Sequence, residues 1–213
     1  MSITGGVRLE SRVARAVKIQ RRHGAIKGRA ELASSPNSAR LSVVFTERQI
    51  QQRVAQIARR IDRDYRGRTL HVVTLLENSF MFLADLTRQL QTAVVCHFLQ
   101  AQVKDRKWHG LPLHEIKYAP SAPLNGRDVL LVDGVLQTGI TEDFLLHSIE
   151  DQQPNSLRTA TLIEKTAMRK VNLSPDYVGF ESDERFLVGY GLSVNGEYAY
   201  LPYIAELKGV NAH

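Results

Sequence analysis

Residues 128–149 read DVLLVDGVLQTGITEDFLLHSI, and they decide the fold of the chain. The continuous apolar run 129–132 predicts a strand buried on both faces, because a strand with one solvent-exposed face would alternate apolar and polar residues. Residues 142–149 predict a helix, with Glu142 and Asp143 in its first turn. The glycines and hydroxyls between strand and helix predict a loop whose backbone N–H groups bind a phosphate. An ordinary strand-to-helix turn is the alternative interpretation.

The composition is typical of a soluble globular protein, with 213 residues of which 43% are hydrophobic and 23% charged. No apolar run approaches the roughly 20 residues of a membrane span, so we expect no membrane partner. The single cysteine, Cys96, cannot form an internal disulfide, which favours a reducing compartment such as the cytoplasm. Its apolar surroundings indicate a small core residue, and a reactive thiol is the alternative.

The positive charge is concentrated at one end of the chain. Residues 1–40 contain nine Lys or Arg and two Glu, whereas residues 41–213 are close to neutral. We therefore expect a basic N-terminal arm, 1–40, and a folded domain, 41–213. The arm is interpreted as a solvated tail, with a contact to nucleic acid or to an acidic partner as one alternative and a targeting peptide as another.

Strands and helices alternate along the domain. The capping box formed by Thr46 and Gln49 predicts a helix start. The predicted order is a strand at 41–45, this helix, a strand at 69–76, a helix at 80–90, a strand at 93–99, the strand-loop-helix of 128–149 and a strand at 157–165. This alternation predicts an α/β fold with a parallel sheet, helices on both faces and a ligand at the carboxyl ends of the strands. The polar stretch 100–127 predicts a lid or hairpin, and the last fifty residues a small cap.

Several stretches resemble the hypoxanthine-guanine (6-oxopurine) phosphoribosyltransferase family, of the type I phosphoribosyltransferase fold. Residues 129–139, VLLVDGVLQTG, are similar to its acidic strand and phosphoribosyl loop, and 78–86, NSFMFLADL, to the segment after its pyrophosphate loop. The purine-binding cap of the family is matched by Lys165 and by residues 176–181, 186–192 and 201–204. The resemblance runs from about 41 to 207 and implies a twisted, mainly parallel sheet with helices on both faces and a small C-terminal purine-binding hood.

The resemblance also implies an activity and partners. Such enzymes transfer ribose 5-phosphate from phosphoribosyl pyrophosphate to hypoxanthine or guanine, with Mg²⁺ holding the pyrophosphate. Family relatives are usually homo-oligomers. The implied binding residues are Lys165, Phe186, Val135 and Leu187 for the purine, Gln137, Thr138, Gly139, Ile140 and Thr141 for the 5′-phosphate, and Asp133 for the ribose.

Other positions depart from the family pattern. Gln137 occupies the position of the aspartate that acts as base, and a neutral amide cannot take a proton near pH 7, so we assign no catalytic residue. Gly134 replaces the second ribose acid, Glu77 a lysine, Ser193 an acid that helps to hold metal, and Ala199 an arginine that binds pyrophosphate. These changes gather on the ribose, metal and pyrophosphate side, and we assign no metal ligand.

Three hypotheses follow from this distribution. The first is a pseudoenzyme that binds a purine nucleotide, such as IMP or GMP, with weak or no transferase activity. The second is an active purine-salvage transferase that uses Mg²⁺ and substitute residues. The third is a nucleotide-sensing regulator that binds RNA through the basic arm.

Overall fold

The computed structural model describes residues 40–108, 111–117, 123–184 and 186–209, so the basic arm lies outside the described residues apart from residue 40. The elements in chain order are β1 Arg40–Phe45, α1 Glu47–Asp64, β2 Thr69–Leu75, α2 Phe80–Gln89, β3 Ala93–Trp108, β4 Leu111–Lys117, β5 Asp128–Leu136, α3 Ile140–Glu150, β6 Ser156–Glu164, β7 Tyr177–Glu181, β8 Leu187–Val188 and β9 Ile204–Lys208.

Six strands form the central sheet, in the order β4-β3-β2-β5-β6-β7. The five strands from β3 to β7 in this order pair in parallel, and β4 runs antiparallel to β3. In β5, Leu130 and Val132 belong to one buried core, and Val129 and Leu131 belong to a second. The continuous apolar run of β5 therefore reflects burial on both faces, as predicted.

Helices cover both faces of this sheet. The predicted capping box opens α1, because Thr46 Oγ1 accepts from the backbone N–H of Gln49 at 3.4 Å, and Gln49 Oε1 accepts from that of Thr46 at 2.9 Å. The apolar residues of α1 and α2 lie in the first core, while Leu145 and Ile149 of α3 lie in the second. None of these three helices, within the part of the chain described, is long and apolar enough to cross a membrane.

A second sheet of three strands, β1-β9-β8, forms the hood. β1 pairs antiparallel with β9, and Leu41 lies opposite Leu207 and Val43 opposite Ala205. The predicted hood consisted of C-terminal residues alone, whereas the structure adds the first strand of the domain to it. β7, which the resemblance assigned to the cap, instead pairs with β6 at the edge of the central sheet. Pairing between the two ends of a domain leaves no local pattern in the sequence.

The polar stretch after residue 99 continues β3 as far as Trp108 and returns as β4. The predicted end of this strand near residue 99 is therefore wrong, while the predicted hairpin is present. Gln100 pairs with Lys117 and Trp108 with Leu111 along its two strands. The strand was missed because its polar composition lacks the apolar signal of a buried strand.

His71 of β2 and His97 of β3 are buried side by side, with 2.9 Å between Nδ1 of His71 and Nε2 of His97. Burial lowers the pKa of both imidazoles. Cys96, beside His97, is half-buried, and burial raises the pKa of its thiol, which disfavours the reactive thiolate. The two histidines therefore pack within the sheet, and Cys96 has no feature of a reactive thiol.

Candidate active site

Two adjoining clefts lie at the carboxyl ends of β2 and β5, where the parallel sheet predicts a ligand site. The larger has a volume of about 410 Å³ and the smaller about 190 Å³, and Asn78 and Val135 line both. The larger is also lined by Leu75, Leu76, Glu77, Leu99, Asp133, Thr141 and Glu142. The smaller is also lined by Gln137, Lys165, Phe186, Leu187, Leu192, Ser193 and Val194.

The smaller cleft combines apolar surfaces with one cationic group. Lys165, at the end of β6, is only 4% exposed, and its Nζ donates to the backbone oxygen of Glu184 at 2.7 Å. Burial lowers the pKa of this ammonium group. Phe186 and Leu187 come from the hood, so hood and central sheet together form the cleft. A flat base with an exocyclic oxygen matches this combination of an aromatic face, an apolar wall and a cation.

Gln137 joins this group but carries no basic function. Its Nε2 donates to Sδ of Met168 at 2.9 Å. A primary amide has no accessible protonation equilibrium near neutral pH, so Gln137 offers hydrogen bonds and no proton transfer. The structure therefore supplies no general base at the position where the resemblance expects one.

The turn between β5 and α3 consists of residues 137–139, and α3 begins at Ile140, two residues before its predicted start. Gly139 has a φ of +80°, and a Cβ there would lie 2.6 Å from Cγ2 of Val171, so both the conformation and the space require glycine. Gly139 also gives α3 no side-chain cap. The first N–H groups of α3, beside the hydroxyls of Thr138 and Thr141, therefore suit an anion.

The larger cleft contains two carboxyl groups that influence each other. Oδ1 of Asp133 accepts from Oγ of Ser79 at 3.2 Å, and Oδ2 is buried without a hydrogen-bond partner among the described residues. Burial, reinforced by the charge of Asp133, raises the pKa of Glu142 to about 7, against the nearby Arg169. Burial also raises the pKa of Asp133, opposed by hydrogen bonds from the backbone and from Ser79. The pair therefore carries less than two negative charges at neutral pH.

Glu142 is the site residue that the sequence analysis missed. We interpreted it as an acid that favours the N-terminus of a helix, an effect that needs only a solvated position. A signal was nevertheless present, because Glu142, Leu145 and Ile149 are spaced i, i+3 and i+7, and the latter two are buried. An acid on the apolar stripe of a helix is costly unless it has a partner or a function.

Gly134 and the segment 77–79 are in direct contact. The backbone N–H of Gly134 donates to Oγ of Ser79 at 3.0 Å, and a Cβ at position 134 would lie 2.0 Å from the backbone oxygen of Asn78. Asn78 has a φ of +64°. The segment 77–79 therefore occupies the space that a side chain at position 134 requires.

The described side chains do not form a metal centre. They contain no group of three or more His, Cys, Asp or Glu residues arranged to hold an ion. Ser193, at the position where the resemblance expects an acid, lines the smaller cleft. These residues would therefore hold Mg²⁺ only together with the phosphates of a substrate, which is the usual binding mode of this ion.

Comparison with known proteins assigns the family. The phosphoribosyl transferase domain family matches residues 43–195. A hypoxanthine-guanine phosphoribosyltransferase of Dictyostelium discoideum is 33% identical over 170 residues, which cover 78% of this chain and 94% of that protein. The hypoxanthine phosphoribosyltransferase of Escherichia coli K12 is 31% identical over 169 residues, covering 78% of this chain and 95% of that protein.

Solved structures agree with this assignment. A hypoxanthine phosphoribosyltransferase of Staphylococcus aureus has a TM-score of 0.74 and 29% identity, covering 82% of this chain and 97% of that one. A hypoxanthine-guanine phosphoribosyltransferase of Bacillus anthracis has a TM-score of 0.72 and 30% identity, covering 79% of this chain and 99% of that one. Sequence identity and fold thus agree over most of the domain, and the chain belongs to the hypoxanthine-guanine phosphoribosyltransferase family, with the type I phosphoribosyltransferase fold.

Proposed function

We propose that the protein binds a purine nucleoside monophosphate of the IMP or GMP type and has weak or no transferase activity. The base occupies the smaller cleft, with Lys165 at its exocyclic oxygen and Phe186 against its face. The 5′-phosphate binds at residues 138–141, where the start of α3 and two threonines supply donors. The sugar joins the two across Val135, which lines both clefts.

The proposal of weak or absent transferase activity rests on the negative charge of the larger cleft. Glu77, Asp133 and Glu142 line it, and none of its described lining residues is Lys or Arg. Pyrophosphate is a polyanion, and two like charges about 4 Å apart repel by roughly 4 kcal/mol at an effective dielectric constant near 20. Solvent weakens this repulsion, but its sign opposes binding of the pyrophosphate donor. Departure of pyrophosphate also requires stabilisation of negative charge, which these residues do not provide.

Calorimetry and an activity assay test the proposal. Purified full-length protein is titrated with IMP, with GMP and with phosphoribosyl pyrophosphate plus Mg²⁺, and is assayed for IMP formation from hypoxanthine. We expect nucleotide binding, weak or absent donor binding and little IMP. Turnover at ordinary enzyme rates, about 1–10³ s⁻¹, would contradict the proposal. The Escherichia coli relative serves as the control for assay conditions.

A second candidate function is active purine salvage, in which phosphoribosyl pyrophosphate and hypoxanthine give IMP and pyrophosphate. The observation in its favour is the identity of 31–33% to proteins named as these transferases. In this function Mg²⁺ is held chiefly by the phosphates of the substrate, which is the usual binding mode of this ion. The assay above separates the two candidates directly.

Three further properties belong to the proposal. The protein assembles as a homo-oligomer and works in the cytoplasm, where its single cysteine stays reduced. The basic arm, 1–40, makes nucleic acid a third candidate ligand, favoured by its nine Lys or Arg. RNA binding through the arm must weaken steeply with salt and disappear when residues 1–40 are deleted.

A further inference from the structure

Glu142 is a half-buried acid that the proposed base and phosphate sites do not use. It lies in the first turn of α3, on the stripe that continues through the buried Leu145 and Ile149. A leucine at this position would extend the apolar stripe without burying a charge. Burial of a carboxyl group beside the carboxylate of Asp133 therefore costs stability, and such a cost is typical of a functional site.

The two carboxyl groups form a unit with particular hydrogen-bonding properties. At neutral pH the pair carries less than two negative charges, because burial raises the pKa of both acids and the charge of Asp133 raises that of Glu142 further. A protonated carboxyl donates one hydrogen bond, and a carboxylate only accepts. Oδ2 of Asp133 also has no partner among the described residues. The pair thus presents acceptor oxygens to the cleft, one of them buried and without a hydrogen-bond partner in the described part of the chain.

The charges around Glu142 come from several elements. Arg169, from the segment after β6, acts on Glu142 with a positive charge. Its guanidinium is held by Glu164 at 2.9 Å and by the backbone oxygen of Leu173 at 2.9 Å. Glu77 lines the same cleft from the segment after β2. The two terminal nitrogens of Arg169 are thus engaged, while its Nε is buried without a hydrogen-bond partner in the described part of the chain.

The position of the pair indicates what it binds. Asp133 and Glu142 line the larger cleft between Val135, which reaches the base site, and Thr141, which reaches the phosphate site. In a nucleoside monophosphate the sugar joins base to phosphate, so the sugar passes through this region. Each ribose hydroxyl can donate to a carboxylate oxygen, which matches the acceptors of this pair.

We propose that Glu142 acts with Asp133 to bind the ribose hydroxyls of the nucleotide, so that α3 supplies the second acid and makes the site specific for ribonucleotides. This inference rests on the proposed function and deepens it. Position 134 cannot supply the second acid, because the backbone oxygen of Asn78 fills the space of its Cβ. The acid therefore comes from the first turn of α3, eight residues further along the chain.

Calorimetric titration of the full-length protein with IMP and with 2′,3′-dideoxy-IMP tests the inference. Wild type is expected to bind IMP about tenfold more tightly or better, which corresponds to one or two hydrogen bonds to a charged group. Glu142→Gln and Glu142→Leu are expected to lose about tenfold in affinity for IMP and to keep their affinity for the dideoxy nucleotide within about twofold. Asp143→Asn is the matched control, an adjacent acid in the same helical turn, and should change neither value.

Each other outcome has a defined meaning. Equal losses for both nucleotides would show a structural role for Glu142 and overturn the inference, as would an unchanged affinity for IMP. Wild type that binds neither nucleotide overturns the proposed function and this inference together, whereas a failure confined to the Glu142 variants overturns the inference alone. Leucine at position 142 continues an apolar stripe, so melting temperatures of the variants at or above that of wild type will show that they fold.

Discussion

The backbone oxygen of Asn78 lies where the side chain of residue 134 would begin, since a Cβ on Gly134 would be 2.0 Å from it. The segment after β2 therefore lies directly against the backbone of the neighbouring parallel strand β5. A second carboxylate cannot be regained at position 134 unless the segment 77–79 moves as well.

Gly134→Ala is expected to destabilise the protein by about 3 kcal/mol, because the added methyl meets backbone rather than a flexible side chain. Urea unfolding measures the change. Gly196→Ala is the matched control, since position 196 has a φ of +79° but no atom within 4 Å of the added Cβ, so it should cost only about 1 kcal/mol. Equal costs at both positions would contradict the close contact. For the same reason Gly134→Asp alone should not raise transferase activity.

Lys165→Met is expected to weaken binding of IMP by about 10- to 100-fold, the loss of a charge-assisted hydrogen bond to the base. The methylene stem is largely preserved, so the melting temperature should change little. Lys170→Met is the control, since this exposed lysine lies five residues away outside the smaller cleft. An unchanged affinity in Lys165→Met, measured by calorimetry, would contradict the assignment of the smaller cleft to the base.

Glu142→Gln is expected to stabilise the protein at pH 8 and much less at pH 5. Burial raises the pKa of Glu142 from its ordinary value of 4.5 to about 7. The folded state therefore binds more protons than the unfolded state between these pH values, and stability falls as pH rises through them. The full effect is on the order of 1–3 kcal/mol, or about 3–10 °C in melting temperature. A difference in melting temperature between variant and wild type that stays constant from pH 5 to 8 would refute the raised pKa of Glu142.

His71 and His97 predict a loss of stability in acid. Burial lowers the pKa of both imidazoles below the ordinary value of 6.5, so the unfolded state binds protons first as pH falls. Their contribution is therefore complete above pH 6.5 and declines below it. His71→Gln keeps a polar partner for the ring nitrogen of His97, 2.9 Å from Nδ1 of His71, and removes one titrating group. Between pH 5 and 7 the melting temperature of this variant should change less steeply with pH than that of wild type. Identical slopes would contradict the lowered pKa of the two histidines.

The sequence alone determined the elements whose signals are local. The apolar run of β5 and the capping box of Thr46 and Gln49 each lie within a few residues, because the burial of a strand and the capping of a helix depend on neighbouring positions. Together with the family resemblance they predicted the parallel sheet, the helices on both faces and the grouping of Lys165, Phe186 and Leu187 around one cleft.

Only the tertiary structure decided the contacts between distant segments. The place of β1 in the hood, the extension of β3 into a hairpin, the contact of Gly134 with Asn78 and the approach of Glu142 to Asp133 all depend on how segments pack. A residue type alone does not define its environment. A glutamate in the first turn of a helix can be exposed to solvent or can lie beside another carboxyl group. The packing of α3 against β5 determines which environment Glu142 has. It thereby determines the charge of the larger cleft, on which the proposed function depends.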